Sequence, residues 1–456
     1  MEAHARNPLK RPTDGVTFVL FGAFVFLAIG TALRYAAPIA MGDFKVVYYS
    51  ARCLVQGGDP YRESDVLRVY EAEPTEDLAE SPLNRHVKTR YFYPPTAFLL
   101  TVPIALCGFS VAKLLWTILS AGLLILAGIL SWEAGTDYAP GAAGFLAGLV
   151  LVNSAWLYMV GNAAGIVVGL CVVAAWSFFR EKYVWLGVLC LAVSLAVKPN
   201  DSGLIWVFLL MAGGRFRKRA LQSLVMFTVL SLPVVLWVWH VSPHWFAELH
   251  ANMHSFFAPG SIVDPSAAGM TGQTMDSLVQ LQSVIGVYSS RPEIYNLITW
   301  AICGPLIAVA GIVTMVRKQA AHEIWLALAV AAPLSMLPTY HLQHDAKIIL
   351  LTIPACAMLW KRKNRLGRVC MVITSAAIII CGDIFTFARL VLTRLIAVPH
   401  TGALSELATV VLTRPAALIL LATAITYLWA YAIGAARPLN AEVRQEEVSS
   451  CSLNVR

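Results

Sequence analysis

The feature that most constrains this chain is a succession of apolar runs, each close to the length of a bilayer crossing. A transmembrane helix needs about 20 predominantly apolar residues. Val16 to Ala36 meets that requirement and follows Arg6, Lys10 and Arg11. It is longer than a signal-peptide core and reads as a retained anchor. Further runs follow at 112–131, 141–157, 163–179, 183–197, 202–213, 221–240, 293–316, 323–340, 347–360, 367–386 and 416–435. Those at 183–197 and 202–213 are short, as suits helices around a cavity cut into the membrane. Only 13% of the 456 residues are charged and 58% are hydrophobic, against about a quarter charged in a soluble domain. This excludes a soluble globule, a disordered chain, a coiled coil and a disulfide-stapled secreted domain. Thirty-four basic against 26 acidic residues give a net charge of +8, but 13 Trp in apolar surroundings do not describe a nucleic-acid binder. The partner is the lipid bilayer. Most of the nine Cys lie inside apolar runs and no Cys/His metal spacing occurs, so they read as small buried hydrophobes.

The basic residues set the sidedness. Arg180 with Lys182, Arg215 to Arg219, Arg317 with Lys318, and Lys361 to Lys363 with Arg365 and Arg368 form four clusters between runs. Placing all four in the cytoplasm, by the positive-inside rule, requires one crossing on each side of every cluster. The segment 132–140 then also faces inside, although its charges are Glu133 and Asp137. Pro94–Gly108 is short, carries Pro95 and Pro103, and would invert every later cluster if it crossed. It is read as a re-entrant or interfacial helix on the outer face. The expected architecture is an all-α polytopic bundle of about twelve transmembrane helices plus that short helix. The expected location is the inner or plasma membrane, with both termini on the cytoplasmic side. A single membrane domain spans 1–436, with outer loops at 37–93 and 241–292, and a polar, disordered cytoplasmic tail fills 437–456. No repeat of 20–50 residues is visible.

With this topology the polar residues gather on one side. The first outer loop holds Gly42-Asp43-Phe44-Lys45-Val46-Val47-Tyr48-Tyr49, then Gly57-Gly58-Asp59-Pro60-Tyr61, then Arg90-Tyr91-Phe92-Tyr93-Pro94-Pro95. Later outer turns add Asn162, Lys198-Pro199-Asn200-Asp201, and His341, His344, Asp345 and Lys347. Ionisable groups near membrane depth are costly and point to function. An acid, several cations and a set of aromatics together suit a sugar and a phosphate: carboxylates and amides bind hydroxyls, aromatic faces stack on sugar C–H groups, and cations hold a phosphate as charge develops on it.

These residues resemble a known family. An acidic DF motif after the first span, a GGDPY, a YFYPP closing the first outer loop, a polar turn at Gly161-Asn162, a KP turn at 198–199 and a late outer His are similar to the polyprenyl-phosphate-dependent mannosyltransferases. These belong to the GT-C membrane glycosyltransferases, glycosyltransferase family 87, the family of the mycobacterial phosphatidylinositol-mannoside mannosyltransferases. The resemblance runs over about residues 16–360. It implies a helical membrane enzyme whose first outer loop packs over a cavity near the outer leaflet. It also implies inverting transfer of a sugar, usually mannose, from a polyprenyl-phosphate donor to a glycolipid, glycan or protein acceptor. Asp43 falls on the family's general base. By the same resemblance Lys198 and either His341 or His344, one of which is the equivalent of the family's single His, are phosphate and sugar ligands. The chemistry of the residues themselves adds Lys347 and Asn162 on the donor side and Tyr48, Tyr49, Asp59, Tyr91 and Tyr93 on the sugar and acceptor side. The family's Gly-Gln-x-Asn turn is here Gly161-Asn162, without the Gln. No cofactor is required, and the mechanism leaves a metal undecided. A lipid-linked glycan transporter, or a ligase or polymerase using a pyrophosphate-linked donor, shares the composition. The first would place its polar groups at the midplane, and the second would bring more Arg to the outer cavity.

Plainer readings stand beside these. Asp43 could cap the following helix, Asp59-Pro60 is turn chemistry, and Tyr91 and Tyr93 could be interfacial aromatics. Lys198 could snorkel. His250 and His254 are four apart, with His244 near, but an interfacial helix is the default reading. Gly161, Gly165 and Gly169 suggest a helix-packing face, and Asp383 a partner for Arg389.

Overall fold

The computed structural model describes residues 15–37, 40–73, 89–261, 263–266, 278–317, 323–395 and 403–434. The 437–456 tail lies outside these residues. All regular structure among them is helical, apart from one isolated bridge between Leu278 and Leu342. In chain order the helices are α1 (Val16–Ala36), α2 (Gly42–Val55), α3 (Glu63–Ala72), α4 (Phe98–Ala105), α5 (Phe109–Thr136), α6 (Pro140–Val152), α7 (Ala155–Val160) and α8 (Ala164–Arg180). They continue with α9 (Val184–Val197), α10 (Pro199–Met211), α11 (Gly214–Val241), α12 (Trp245–Phe256), α13 (Gln282–Ile285), α14 (Pro292–Val316) and α15 (Glu323–Met336). The last are α16 (Ile353–Lys361), α17 (Arg365–Ile380), α18 (Asp383–Leu395), α19 (Ala403–Thr413) and α20 (Pro415–Ala432). A 3₁₀ turn at Pro95–Ala97 precedes α4, and a 3₁₀ helix at Asp345–Thr352 precedes α16.

The sequence marks many of these boundaries. Proline opens α6, α10, α14 and α20, where its missing N–H costs nothing. Asn364 accepts from the Gly367 amide to cap α17. Gly161 ends α7 in the left-handed region (φ 68°), which a residue with a Cβ adopts only at a cost.

Among the described residues five helices are long and apolar enough to cross a membrane: α1, most of α5, α11, α14 and α20. A sixth arises if α17 and the start of α18, bent by 63° at Cys381-Gly382, count as one span. The 141–157 run divides into α6 and α7 at Asn153-Ser154. The 347–360 run divides into the 3₁₀ helix and α16. The short Pro95–Ala105 element is helical, eleven residues in all.

The outward face is apolar. On α11, Leu221, Val225, Val229, Leu232, Leu236 and Trp239 are exposed. An apolar surface this continuous is covered by lipid rather than water. The chain is a membrane protein. Inside, α1 lies along α6 and α7, and a Cβ on Gly22 would sit 2.5 Å from the Gly148 carbonyl oxygen. Without a hydrophobic force between helices in lipid, such close backbone packing supplies the attraction. Gly165 and Gly169 pack on α5 in the same way, against Ser120 and Leu123, whereas Gly161 is the left-handed cap.

Charge is sorted between the two ends of the bundle. Arg180 pairs with Glu133 at 3.1 Å and Asp137 at 2.7 Å, Arg215 pairs with Glu181, and Lys361 reaches the Asp137 carbonyl at 3.5 Å. The acidic residues of 132–140 therefore lie at the same end as three of the four basic clusters and are neutralised there. Asn162 is at the opposite end of α8, 17 residues or roughly 25 Å away.

Candidate active site

At that opposite end, α2 begins beside the close of α7. The Met41 amide donates to the Met159 carbonyl at 2.8 Å, and α2 starts at the next residue. Asp43 occupies its first turn, where the helix dipole favours a carboxylate by about 0.3–1 kcal/mol. No side-chain cap bond is made at this helix start. Instead the Asn162 amide donates to Asp43 Oδ2 at 2.6 Å. The other end of the Asn162 amide accepts from the Ala164 N–H at 2.8 Å, which fixes the amide's orientation. Asp43 is partly covered. Burial pushes its carboxyl above the usual range, while Asn162 and the Lys198 charge pull the other way.

Facing Asp43 is a network of charges. Lys198, between α9 and α10, pairs with Asp345 and lies 3.4 Å from Asp201. Burial opposes its charge, but the two carboxylates more than offset this and raise its pKa. His341 Nε2 lies 3.1 Å from Asp201 Oδ1 and 3.2 Å from the Asn200 amide nitrogen. Its Nδ1 is 3.0 Å from the Thr339 carbonyl. A carbonyl only accepts, so Nδ1 carries a proton. Burial works against the imidazolium, yet Asp201 outweighs it and the pKa rises. The His341 amide donates to Gln280 Oε1 at 2.9 Å. Asp345 accepts from the Leu342 amide at 2.9 Å, which closes the turn that presents it. Tyr93 and Tyr340 complete the surroundings, both within the electrostatic reach of Asp43, Lys198 and Asp345. Pro199, Asn200 and Thr339 are exposed at the rim.

The segments around Tyr61 and Tyr91 and helix α12 form a cover. The Asn252 amide donates to the Tyr61 and Tyr91 carbonyls at 2.9 and 3.1 Å. Phe256 stacks on Phe92 at 4.6 Å and meets Tyr340 edge-on at 5.7 Å. His250 and His254 are exposed on α12, beside exposed Phe246 and Met253. No group of three or more His, Cys, Asp or Glu suited to a metal occurs among the described residues.

The structure brings together Asp43, Asn162, Lys198, His341 and Tyr93, and it places the other candidates elsewhere. His344 is buried and neutral, its pKa lowered to about 3 by burial, whereas His341 is the histidine joined to Asp201 and Asn200. Lys347 turns away and donates to the Asn153 and Cys381 carbonyls at 2.5 and 3.3 Å. The Tyr48 hydroxyl donates to the Cys107 carbonyl at 3.0 Å and contacts Glu73. Tyr49 packs between Tyr70 and Phe109. Tyr91 is fully buried against Phe98 at 4.7 Å. Asp59 Oδ1 accepts from the Tyr61 amide at 3.0 Å, an Asx turn. Asp383 accepts from the Trp156 amide at 2.9 Å. Asp201 and Asp345 belong to the network although the motif reading gave neither a role. For Asp201 the signal is positional: it follows the Lys198 cap at i+3, in the first turn of α10.

A family model for glycosyltransferase family 87 matches residues 91–339, more than half of the chain. The chain belongs to glycosyltransferase family 87. No curated protein and no solved structure matches it. The protein is thus a membrane glycosyltransferase, with a sugar donor and an acceptor as its substrates. The match includes Tyr91, Tyr93, Asn162, Lys198 and Asp201. Asp43 lies before it and His341 just after it, so the two ends of the polar network are joined to the matched region by the fold alone.

Proposed function

We propose that this glycosyltransferase moves a sugar, mannose by the family resemblance, from a polyprenyl-phosphate donor to a glycolipid, glycan or protein acceptor with inversion. The observation that carries the reading is Asp43. It is a partly covered carboxylate oriented by Asn162 and set opposite the Lys198–His341 network. Asp43 accepts the proton of the acceptor hydroxyl while that oxygen attacks the anomeric carbon. The bond from that carbon to the phosphate oxygen breaks with its electron pair on the phosphate. One displacement inverts the centre. The leaving phosphate needs no proton, so a second carboxylic acid of the hydrolase kind is unnecessary.

Lys198 has three N–H donors. Two face Asp345 and Asp201, leaving one for the donor phosphate, with His341 beside it. Tyr93 and Tyr340, within electrostatic reach of Asp43 and Lys198, would offer ring faces to the sugar. The site is extracytoplasmic in this reading. The chain crosses the inner or plasma membrane twelve times as one domain, both termini stay with the basic clusters in the cytoplasm, and the broken helices pair up as crossings. The test is to reconstitute the full chain in vesicles with labelled polyprenyl-phosphate mannose and to determine the anomeric configuration of the product. Transfer with inversion supports the proposal. Transfer only from a pyrophosphate-linked donor, or with retention, contradicts it.

A further inference from the structure

Two of the apolar runs are interrupted inside the helical bundle, at the buried Asn153-Ser154 between α6 and α7 and at the buried Cys381-Gly382 between α17 and α18. Each break strands carbonyls at one helix end and amides at the next helix start. Away from water, each orphan costs up to several kcal/mol. Here the two breaks satisfy one another. Asp383, at the start of α18, accepts from the Trp156 amide in the first turn of α7 at 2.9 Å. Asn153, at the end of α6, accepts from the Ile384 amide in the first turn of α18 at 3.1 Å. Lys347 inserts between them and donates to the last carbonyl of each preceding segment, Asn153 at 2.5 Å and Cys381 at 3.3 Å. The approach is close: a Cβ on Gly382 would lie 2.5 Å from Asn153 Oδ1.

The consequence is carried by what these elements hold at their other ends. The far end of α7 presents the Met159 carbonyl to Met41 and leads through Gly161 to Asn162, which grips Asp43. The Trp116 indole donates to the Gly161 carbonyl at 2.8 Å and closes that end. Lys347 itself sits two residues after Asp345, which holds Lys198. We propose that Lys347, Asp383 and Asn153 are positioning residues, a cross-brace that sets α7 and the 3₁₀ helix and thereby the distance between Asp43 with Asn162 and Lys198 with Asp345. Lys347 touches no substrate. This inference rests on the reading of Asp43 as the base.

The test uses the full chain in lipid nanodiscs. Lys347→Met, and the milder Gly382→Ala, which pushes the Asn153 amide off α18, are compared with wild type. The readouts are amide exchange over Ala155–Asn162 and the kinetics of sugar transfer. Exchange in that segment should accelerate by about tenfold or more, with α11 unchanged. kcat should fall by roughly ten- to a hundredfold at an unaltered KM for the donor. Unchanged α7 protection in both variants overturns the brace. A raised donor KM at unaltered kcat also overturns it, and returns Lys347 to the phosphate. Should Lys347→Met not accumulate as folded protein, Gly382→Ala decides alone. An Asp43→Asn control that stays active refutes the base assignment without touching the exchange result, so the two failures are distinguishable.

Discussion

Lys198, at the junction of α9 and α10, and Lys347, in the first turn of the 3₁₀ helix, both answer to nearby carboxylates, yet they do different things. Lys198 stands at the rim of the polar end, partly accessible, facing the side chains of Asp345 and Asp201. Lys347 is sealed inside and spends its donors on main-chain carbonyls at two helix ends. A cation facing side chains beside an opening can exchange one partner for an incoming anion. A cation holding backbone carbonyls cannot, because releasing them reopens two orphaned helix ends. The same contrast separates Asp43, whose partner is one amide, from Asp383, whose partner is the first turn of a helix.

Substitutions at the rim should therefore affect chemistry most. On the proposed mechanism Asp43→Asn removes the proton acceptor and should lower kcat by roughly 10²- to 10⁴-fold, the usual contribution of a general base, with little change in thermal stability. A rate assay paired with a melting curve measures both. Lys198→Met leaves two buried carboxylates without their shared ammonium. Breaking such a pair costs about 3–5 kcal/mol, so a clear drop in Tm together with lost transfer is expected. Lys198→Arg should restore Tm more than rate. Tyr49→Phe should do least. The Tyr49 hydroxyl is buried with no hydrogen-bond partner among the described residues, so its removal should leave transfer unaltered and stability equal or slightly higher. A loss of transfer in Tyr49→Phe would put that ring back at the sugar.

The comparison also explains what was legible in the sequence. Asp43, Asn162, Lys198 and His341 each adjoin a helix end in a short motif, and the structure brings these four together. The choice between His341 and His344 was not legible, because both rings are buried and only the turn geometry joins the His341 ring to Asp201 and Asn200. The carbonyl contacts of Lys347 were hidden for a related reason. Its charge and position match a phosphate ligand, and its carbonyl partners come from residues 153 and 381. The breaks themselves were hidden inside continuous apolar runs, since Asn153-Ser154 and Cys381-Gly382 interrupt hydropathy too briefly to register. Glu133 and Asp137 looked misplaced beside a rule based on basic residues. Their pairing with Arg180 removes the conflict.

The most direct measurement of the central claim, that Asp43 acts as a base tuned by Asn162, is the pH dependence of kcat/KM for the donor in wild type and Asn162→Ala. Asp43 must be ionised to take the proton, and burial raises its pKa while Asn162 lowers it. Activity should therefore fall away on the acid side above the ordinary carboxylate range. Removing Asn162 should move that limb to higher pH, lowering the rate most at acid pH and least at alkaline pH. An acid limb that stays in place in Asn162→Ala, or moves to lower pH, would contradict the assignment.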